Sequence, residues 1–111
     1  MVAFSDLRFD YRIFREADTL SRAGHAITIL STAFDEQSLS GWPHIDVQLL
    51  PIDRSQSLRK LFPIFWYWAY KRLISITADV FHAHDLDALW PCARAATRLS
   101  KPLIYDSHEF W

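Results

Sequence analysis

The stretch that decides the fold is "ADVFHAHDLDALWPCARAATRLSKPLIYDSHEFW", residues 78–111. It predicts a buried strand over residues 78–85, a helix over residues 86–100 and a second strand over residues 102–107. The helix ends at a Lys-Pro pair because proline cannot continue it. A strand, a helix and a strand in this order form a βαβ unit, whose strands lie parallel in one sheet with a right-handed crossover.

The same alternation extends back to the start of the chain. Residues 2–4 predict a short strand, and Asp10 is a good N-cap for a helix over residues 11–23. The apolar positions of that helix recur at helical spacing, with its charged residues on the other side. Gly24 stands where a left-handed C-terminal cap belongs.

Two further strands and one helix complete the pattern. Residues 26–31 are apolar on both faces and predict a strand inside the sheet, whereas residues 45–51 alternate apolar with polar and predict an edge strand. A helix is predicted to begin at Pro63, because proline is best tolerated in a first turn. The fold class is therefore α/β, with an open parallel sheet.

Length and composition narrow the function classes. The chain has 111 residues, enough for one domain, and a formal net charge of −1, so no basic field draws it to nucleic acid. Its single cysteine, Cys92, excludes an internal disulfide and a cysteine-based zinc site, and it suits a reducing, cytoplasmic compartment. No secretory signal is visible, and the longest apolar run is about half of a membrane span.

Polar side chains follow three of the predicted strands. They occupy residues 5–10, His84 with Asp85, and residues 106–109. Ligands of open parallel sheets bind beyond the carboxyl ends of the strands, so we expect these groups to converge on one site. Arg8 and Arg12 in the first segment fit either recognition of a phosphate or carboxylate, or ordinary solvated surface charge.

The "HAHD" segment has two interpretations. His82 and His84 point to the same side of a strand, so together with Asp85 they could hold the metal of a metal-dependent hydrolase. The pattern lacks the further nearby histidine of such enzymes, and a hydrogen-bonded core histidine is the better interpretation of His82. His84 and Asp85 lie closer to the strand end and are predicted to reach a pocket.

The "DSHE" segment places an imidazole between carboxylates. His108 could donate a hydrogen bond to a substrate hydroxyl, with a neighbouring carboxylate fixing its charge or tautomer. Asp106 and Ser107 fit equally well as caps of a following helix. Ser107 and His108 do not form a nucleophile–base pair, because adjacent strand residues point to opposite faces.

The aromatic helix over residues 62–76 also has two interpretations. Its aromatic and apolar stripe suits packing against the sheet. Its exposed Tyr67 and Trp68, next to Lys71 and Arg72, suit peripheral contact with a membrane, at the inner face for a cytoplasmic protein.

Two motifs carry a family resemblance. "DYRIFREADTLSRAGHAITIL" (residues 10–30), followed by residues 78–111, resembles the N-terminal half-domain of glycosyltransferase family 4 enzymes, which have the GT-B fold. The resemblance implies a Rossmann-like sheet of order 3-2-1-4-5. It also implies retaining transfer of a hexosyl group from a nucleotide-sugar to the hydroxyl of a carbohydrate or lipid-linked acceptor. No metal and no cofactor are implied, the nucleotide-sugar being a co-substrate.

The same resemblance assigns site residues. His108 matches the histidine that faces the transferred sugar and is the expected catalytic residue. The expected substrate-binding residues lie at the strand tips and at the start of the first helix: His84, Asp85, Asp106, Glu109, Asp10 and Arg12.

The chain departs from the family pattern in two respects. Ser5-Asp6-Leu7 stands where many members have Gly-Gly beside the donor phosphate. The C-terminal donor-binding domain is also missing, so residues 1–111 are interpreted as an incomplete N-terminal, acceptor-side domain, inactive alone. A stand-alone flavodoxin-like binding or interaction module is the alternative.

Overall fold

The computed structural model describes residues 1–8, 10–33, 44–53 and 55–108. Within these ranges strands and helices alternate as the sequence predicts. In chain order the elements are β1 (Val2–Asp6), α1 (Tyr11–Arg22), β2 (Ile27–Ala33), β3 (Ile45–Pro51), α2 (Leu58–Ser75), β4 (Phe81–His84), α3 (Leu86–Leu99) and β5 (Leu103–Asp106).

The strands form an open, five-stranded sheet of order β3-β2-β1-β4-β5. All pairings between neighbouring strands are parallel, which confirms the predicted α/β class and strand order. β3 lies at an edge, as its alternating pattern predicted. The order brings the carboxyl ends of β1, β4 and β5 side by side, and it pairs His84 with Asp106 in register.

Helix α1 follows its local signals at both ends. The Asp10 carboxylate caps it by accepting a hydrogen bond from the Ile13 backbone N–H at 3.5 Å. At the other end Gly24 has φ +99°, and the N–H groups of Gly24 and His25 donate to the carbonyls of Ser21 and Leu20. This paired arrangement is a Schellman motif, which the glycine makes accessible because it lacks a Cβ atom.

Helix α2 begins at Leu58, so the prediction that it begins at Pro63 was wrong. The backbone N–H groups of Lys60 and Leu61 both donate to the carbonyl of Ser57, which establishes the first turn ahead of the proline. Burial of Leu61, at 5% exposure, stabilises that turn. Pro63 therefore costs one main-chain hydrogen bond near the helix end, where the loss is small compared with a mid-helix position.

Helix α3 carries a proline at the same position. Pro91 has no N–H to donate to the carbonyl of Asp87, four residues earlier. The indole Nε1 of Trp66, on α2, donates to that carbonyl at 2.6 Å. A side chain of the neighbouring helix thus replaces a donor that the proline lacks.

The two faces of the sheet have separate cores. α2 and α3 cover one face, where Phe65, Ala69, Phe81 and Cys92 are buried. α1 covers the other face with a smaller core, in which Ile13 contributes. Alternation along β4 turns Phe81 and Ala83 into the larger core, so His82 and His84 point to the α1 side of the sheet.

Candidate functional site

The histidines of β4 lie against the carboxyl end of β5. His82 and His84 are 8% and 2% exposed, and their rings stack with centroids 4.3 Å apart and planes 16° apart. The His108 ring also stacks with that of His84, with a centroid distance of 5.7 Å and an interplanar angle of 8°. His84 is more buried than its place near a strand tip predicts.

The Asp106 carboxylate is the common neighbour of these imidazoles. Its Oδ2 lies 3.4 Å from His108 Nε2, 3.7 Å from His82 Nε2 and 4.0 Å from His84 Nδ1. His108 Nε2 is also 3.5 Å from His84 Nδ1. Because Asp106 pairs with His84 in the sheet register, both groups emerge at the same level of the same edge. The Asp106 carboxylate is therefore surrounded by three imidazole rings.

Asp85 fixes the segment that carries His108. Its Oδ1 accepts a hydrogen bond from the His108 backbone N–H at 2.6 Å, and its own backbone N–H donates to the Asp106 carbonyl at 2.9 Å. Asp85 has φ +66° and ψ 172°, a conformation that residues other than glycine adopt only under strain. This backbone turn also explains why β4 ends at His84 instead of extending through Asp85 as predicted.

Burial sets the protonation state of the two inner histidines. It lowers the pKa of His84 to about 4, with the neighbouring His82 acting in the same direction. Burial also lowers the pKa of His82, against the opposing effect of the Glu16 carboxylate, whose Oε1 is 3.6 Å from His82 Nδ1. At pH 7 the His84 imidazole is therefore neutral, with one nitrogen free to accept.

The loop after β1 has mostly structural contacts. Asp10 accepts from the Ser5 hydroxyl at 3.0 Å and caps α1, and Arg12 Nε is 3.7 Å from Asp10 Oδ1. Arg8 binds the Asp6 carboxylate through two of its nitrogen atoms, at 2.9 and 2.6 Å. Within the described ranges, the ion pairs and hydrogen bonds of Asp10 and Arg12 do not reach the histidines. Glu109 lies outside the described residues.

Glu16, which lies beside His82, was not among the predicted site residues. The helical spacing of α1 predicts that its charged residues lie on the side away from the core, but the Glu16 side chain is only 35% exposed and contacts His82. The available signal was its spacing: Glu16 follows the buried Ile13 by three residues and precedes the buried Ala17, so it borders the apolar stripe.

The comparisons with known proteins identify a family. The family model described as Glycosyltransferase Family 4 matches residues 11–111. No curated protein shows significant similarity to the chain. No solved structure does so either. Among the described residues, no helix has both the length and the apolar character that crossing a membrane requires.

Proposed function

The chain belongs to glycosyltransferase family 4, and we propose that it forms the acceptor-side part of a retaining hexosyltransferase. The donor in this proposal is a nucleotide-sugar, and the acceptor is a hydroxyl of a carbohydrate or of a lipid-linked sugar. The observation that carries the proposal is the contact of His108 with Asp106 and Asp85 at the carboxyl ends of β4 and β5. This is the edge at which open parallel sheets bind ligands.

His108 is the proposed catalytic residue. Its Nε2 lies 3.4 Å from the Asp106 carboxylate and 3.5 Å from His84 Nδ1, so a neutral imidazole with its proton on Nε2 directs that proton toward these two groups. Nδ1 then carries the free lone pair and can accept a hydrogen bond from a sugar hydroxyl; in the charged imidazole the same nitrogen donates instead. The Asp85 carboxylate holds the His108 backbone, which orients the ring for either contact.

The remaining chemistry is assigned to a second, donor-binding domain. Departure of a nucleoside diphosphate needs cationic groups or N–H donors at the leaving phosphate, because stabilising that developing charge is the largest catalytic contribution. Arg8, the basic side chain closest to β1, is already bound to Asp6. Arg12 has an exposed guanidinium but is a single charge. We therefore expect no transfer by the 111-residue chain alone.

The experiment is an activity assay on two proteins. The complete open reading frame that contains this sequence and the 111-residue chain are each incubated with a panel of nucleotide-sugars and acceptors. We expect nucleoside diphosphate release only from the complete protein. In that protein His108→Ala is expected to reduce kcat/KM by about 100-fold or more, whereas His25→Ala, on an exposed turn, leaves it unchanged.

Two results would contradict the proposal. One is turnover by the 111-residue chain itself, and the other is an open reading frame that encodes no second Rossmann-like domain. The second result favours the stand-alone flavodoxin-like module. In that case nucleotide-sugar and acceptor have no effect on the His108 resonances in the NMR spectrum of the chain.

A peripheral membrane contact through α2 is the second part of the proposal. Ile64 and Tyr67 are 51% and 65% exposed and, with the half-buried Trp68, line a shallow apolar groove. Lys60 and Lys71 stand one turn to either side of this aromatic stripe. Aromatic side chains at headgroup level, flanked by lysines, suit the surface of an anionic membrane at the cytoplasmic side.

Sedimentation with lipid vesicles tests this contact. We expect the chain to bind vesicles that contain anionic lipid, and Ile64→Ser/Tyr67→Ser to reduce the bound fraction. Tyr11→Ser is the matched control, because Tyr11 is 72% exposed but lies on α1, away from the stripe. Equal binding by both variants would overturn the assignment of the membrane contact to α2.

A further inference from the structure

A second group of potential ligands lies behind His108, on the α1 side of the sheet. Glu16, His82, His84 and Asp106 each offer one ligand atom, and these atoms all lie within 4.8 Å of one another. They come from α1, β4 and β5, so only the tertiary fold brings them together. The two imidazoles are buried, whereas the Glu16 and Asp106 side chains are 35% and 33% exposed.

Two nitrogen atoms of this four-residue cluster lack hydrogen bonds. His82 Nε2 and His84 Nε2 are both buried, and neither has a hydrogen-bond partner among the residues that the structure describes. Buried polar atoms are nearly always satisfied by protein or by an ordered water or ion. His82 Nε2 lies 3.7 Å from Asp106 Oδ2, beyond hydrogen-bond distance, so these two atoms are open to sharing an ion.

The chemistry of the cluster matches a divalent metal ion. A metal ion is bound by the lone pair of an imidazole nitrogen, and His82 and His84 each offer one such atom to the cluster. The carboxylates of Glu16 and Asp106 supply two negative charges, which balance a dication. Two nitrogen and two oxygen donors suit Zn²⁺, whereas Mg²⁺ and Ca²⁺ prefer oxygen donors alone.

Binding of one ion requires access to the cluster and a change in the orientation of one imidazole ring. A cavity of about 460 Å³ at the amino ends of the strands reaches His82 but is not lined by the other three residues, whereas the Glu16 and Asp106 side chains are partly exposed and leave the cluster open to solvent. The lone pairs of stacked, nearly parallel imidazoles run side by side, so one ring must rotate for both to face one ion. The Glu16 carboxylate, 3.6 Å from His82 Nδ1, is positioned to ligate or to orient the ring by accepting from Nδ1–H.

We propose that Glu16, His82, His84 and Asp106 bind one Zn²⁺ ion. The ion takes no part in the proposed sugar transfer, which needs no metal. The two functions share Asp106, which faces His108, and His84, whose Nδ1 lies 3.5 Å from His108 Nε2. Zinc bound here draws the Asp106 carboxylate away from His108, so an occupied site is expected to slow transfer in the complete protein.

Isothermal titration of the metal-free chain with ZnCl₂ tests the proposal directly. We expect one ion per chain, no binding of MgCl₂, and a rise in the thermal unfolding midpoint with zinc. Loss of a residue that only supports a metal ligand weakens binding by about 10–100-fold. Asp106→Asn removes a direct ligand and is expected to weaken zinc binding by more than that. His25→Ala/His44→Ala is the matched control, because both histidines are exposed and lie outside the cluster.

A second measurement tests the site even if a variant with a buried substitution fails to fold. The unmodified chain is titrated with Co²⁺, and the intense visible absorption of a tetrahedral cobalt site reports nitrogen and oxygen ligation without any substitution. His84→Gln, which keeps a polar side chain at the position, should lose that absorption while keeping its circular dichroism spectrum. Absence of stoichiometric zinc binding, or binding that disappears only in the His25→Ala/His44→Ala control, would overturn the site.

Discussion

The indole Nε1 of Trp66 donates a 2.6 Å hydrogen bond to the main-chain carbonyl of Asp87. Pro91 stands four residues after Asp87 and has no N–H for this carbonyl. The Trp66 ring is also stacked on Phe62, with planes 6° apart, and lies 6.0 Å from the Trp90 ring. One side chain thus joins α2 to the proline turn of α3, the helix that leads directly out of Asp85.

Replacing Trp66 by phenylalanine should destabilise the fold more than its loss of volume suggests. Trp66→Phe keeps an aromatic ring but leaves the part-buried Asp87 carbonyl without the indole donor, so we expect the free energy of unfolding to fall by about 1–3 kcal/mol. Urea unfolding measures it. Trp68→Phe is the control, because Trp68 makes no hydrogen bond among the described residues.

A second comparison uses a Pro91→Ala background, in which residue 91 regains its N–H. There Trp66→Phe should lower the free energy of unfolding by less. Equal losses in both backgrounds would contradict the proposed role of the indole donor.

The N-cap of α1 should contribute measurably to stability. Asp10→Ala removes the acceptor for the Ile13 N–H and for the Ser5 hydroxyl, and we expect a loss of about 1 kcal/mol. Asp10→Asn keeps a capping oxygen and should lose less. Asp18→Ala, which removes only a surface pair with Arg22, is expected to cost about 0.3–0.5 kcal/mol. A cost of Asp10→Ala no larger than that of Asp18→Ala would show that the cap is unimportant.

Acid should destabilise the protein through His84. The folded pKa of about 4 lies below the ordinary value of 6.5, so the unfolded chain binds the proton more tightly. The stability linked to this group is fully present above pH 6.5 and is lost as the pH falls towards 4, with a total on the order of 3 kcal/mol. His82, whose pKa burial also lowers, acts in the same direction. Urea unfolding at pH 7, 6, 5 and 4 measures the slope.

Substitution separates His84 from other acid-sensitive groups. His84→Gln should flatten the dependence between pH 6.5 and 4, because glutamine does not titrate. His25→Gln removes an exposed imidazole and should leave the slope unchanged. If both variants retain the slope of the unsubstituted chain, acid sensitivity originates in the carboxylates and the assignment to His84 is wrong.

The backbone at Asp85 should carry a conformational cost that its side chain offsets. Asp85→Gly and Asp85→Ala both lose the acceptor for the His108 N–H, but only glycine adopts φ +66° and ψ 172° without strain. We expect Asp85→Ala to be less stable than Asp85→Gly by about 1–3 kcal/mol. In both variants the His108 amide should exchange its hydrogen faster, as measured by NMR. Equal stabilities would mean that the turn relaxes when the carboxylate is removed.

Prediction from sequence succeeded where the signal was local. The Asp10 cap and the Gly24 terminus of α1 depend on a few consecutive residues, and both were located correctly. The edge position of β3 followed from its alternating pattern. The order of the strands came instead from the family resemblance, because periodicity alone cannot distinguish one arrangement of parallel strands from another.

The start of α2 was mispredicted because two effects compete there. Proline disfavours a helix interior, and this effect alone predicts that the helix begins at Pro63. The opposing effect is burial of Leu61, at 5% exposure, which is visible only once the packing is known. The hydrogen bond from Trp66 to Asp87 was missed for the same reason, since 21 residues separate the two.

By itself the sequence determined which residues form strands and helices, and which polar residues stand at the strand ends. Local hydrogen bonds and apolar periodicity act within a few residues, so a single chain displays them. Only the tertiary structure decided that Asp106 lies between three imidazoles, that Glu16 joins them from α1, and that His84 is buried. Those facts depend on which strands are neighbours and in what register, and cooperative packing of distant segments sets both.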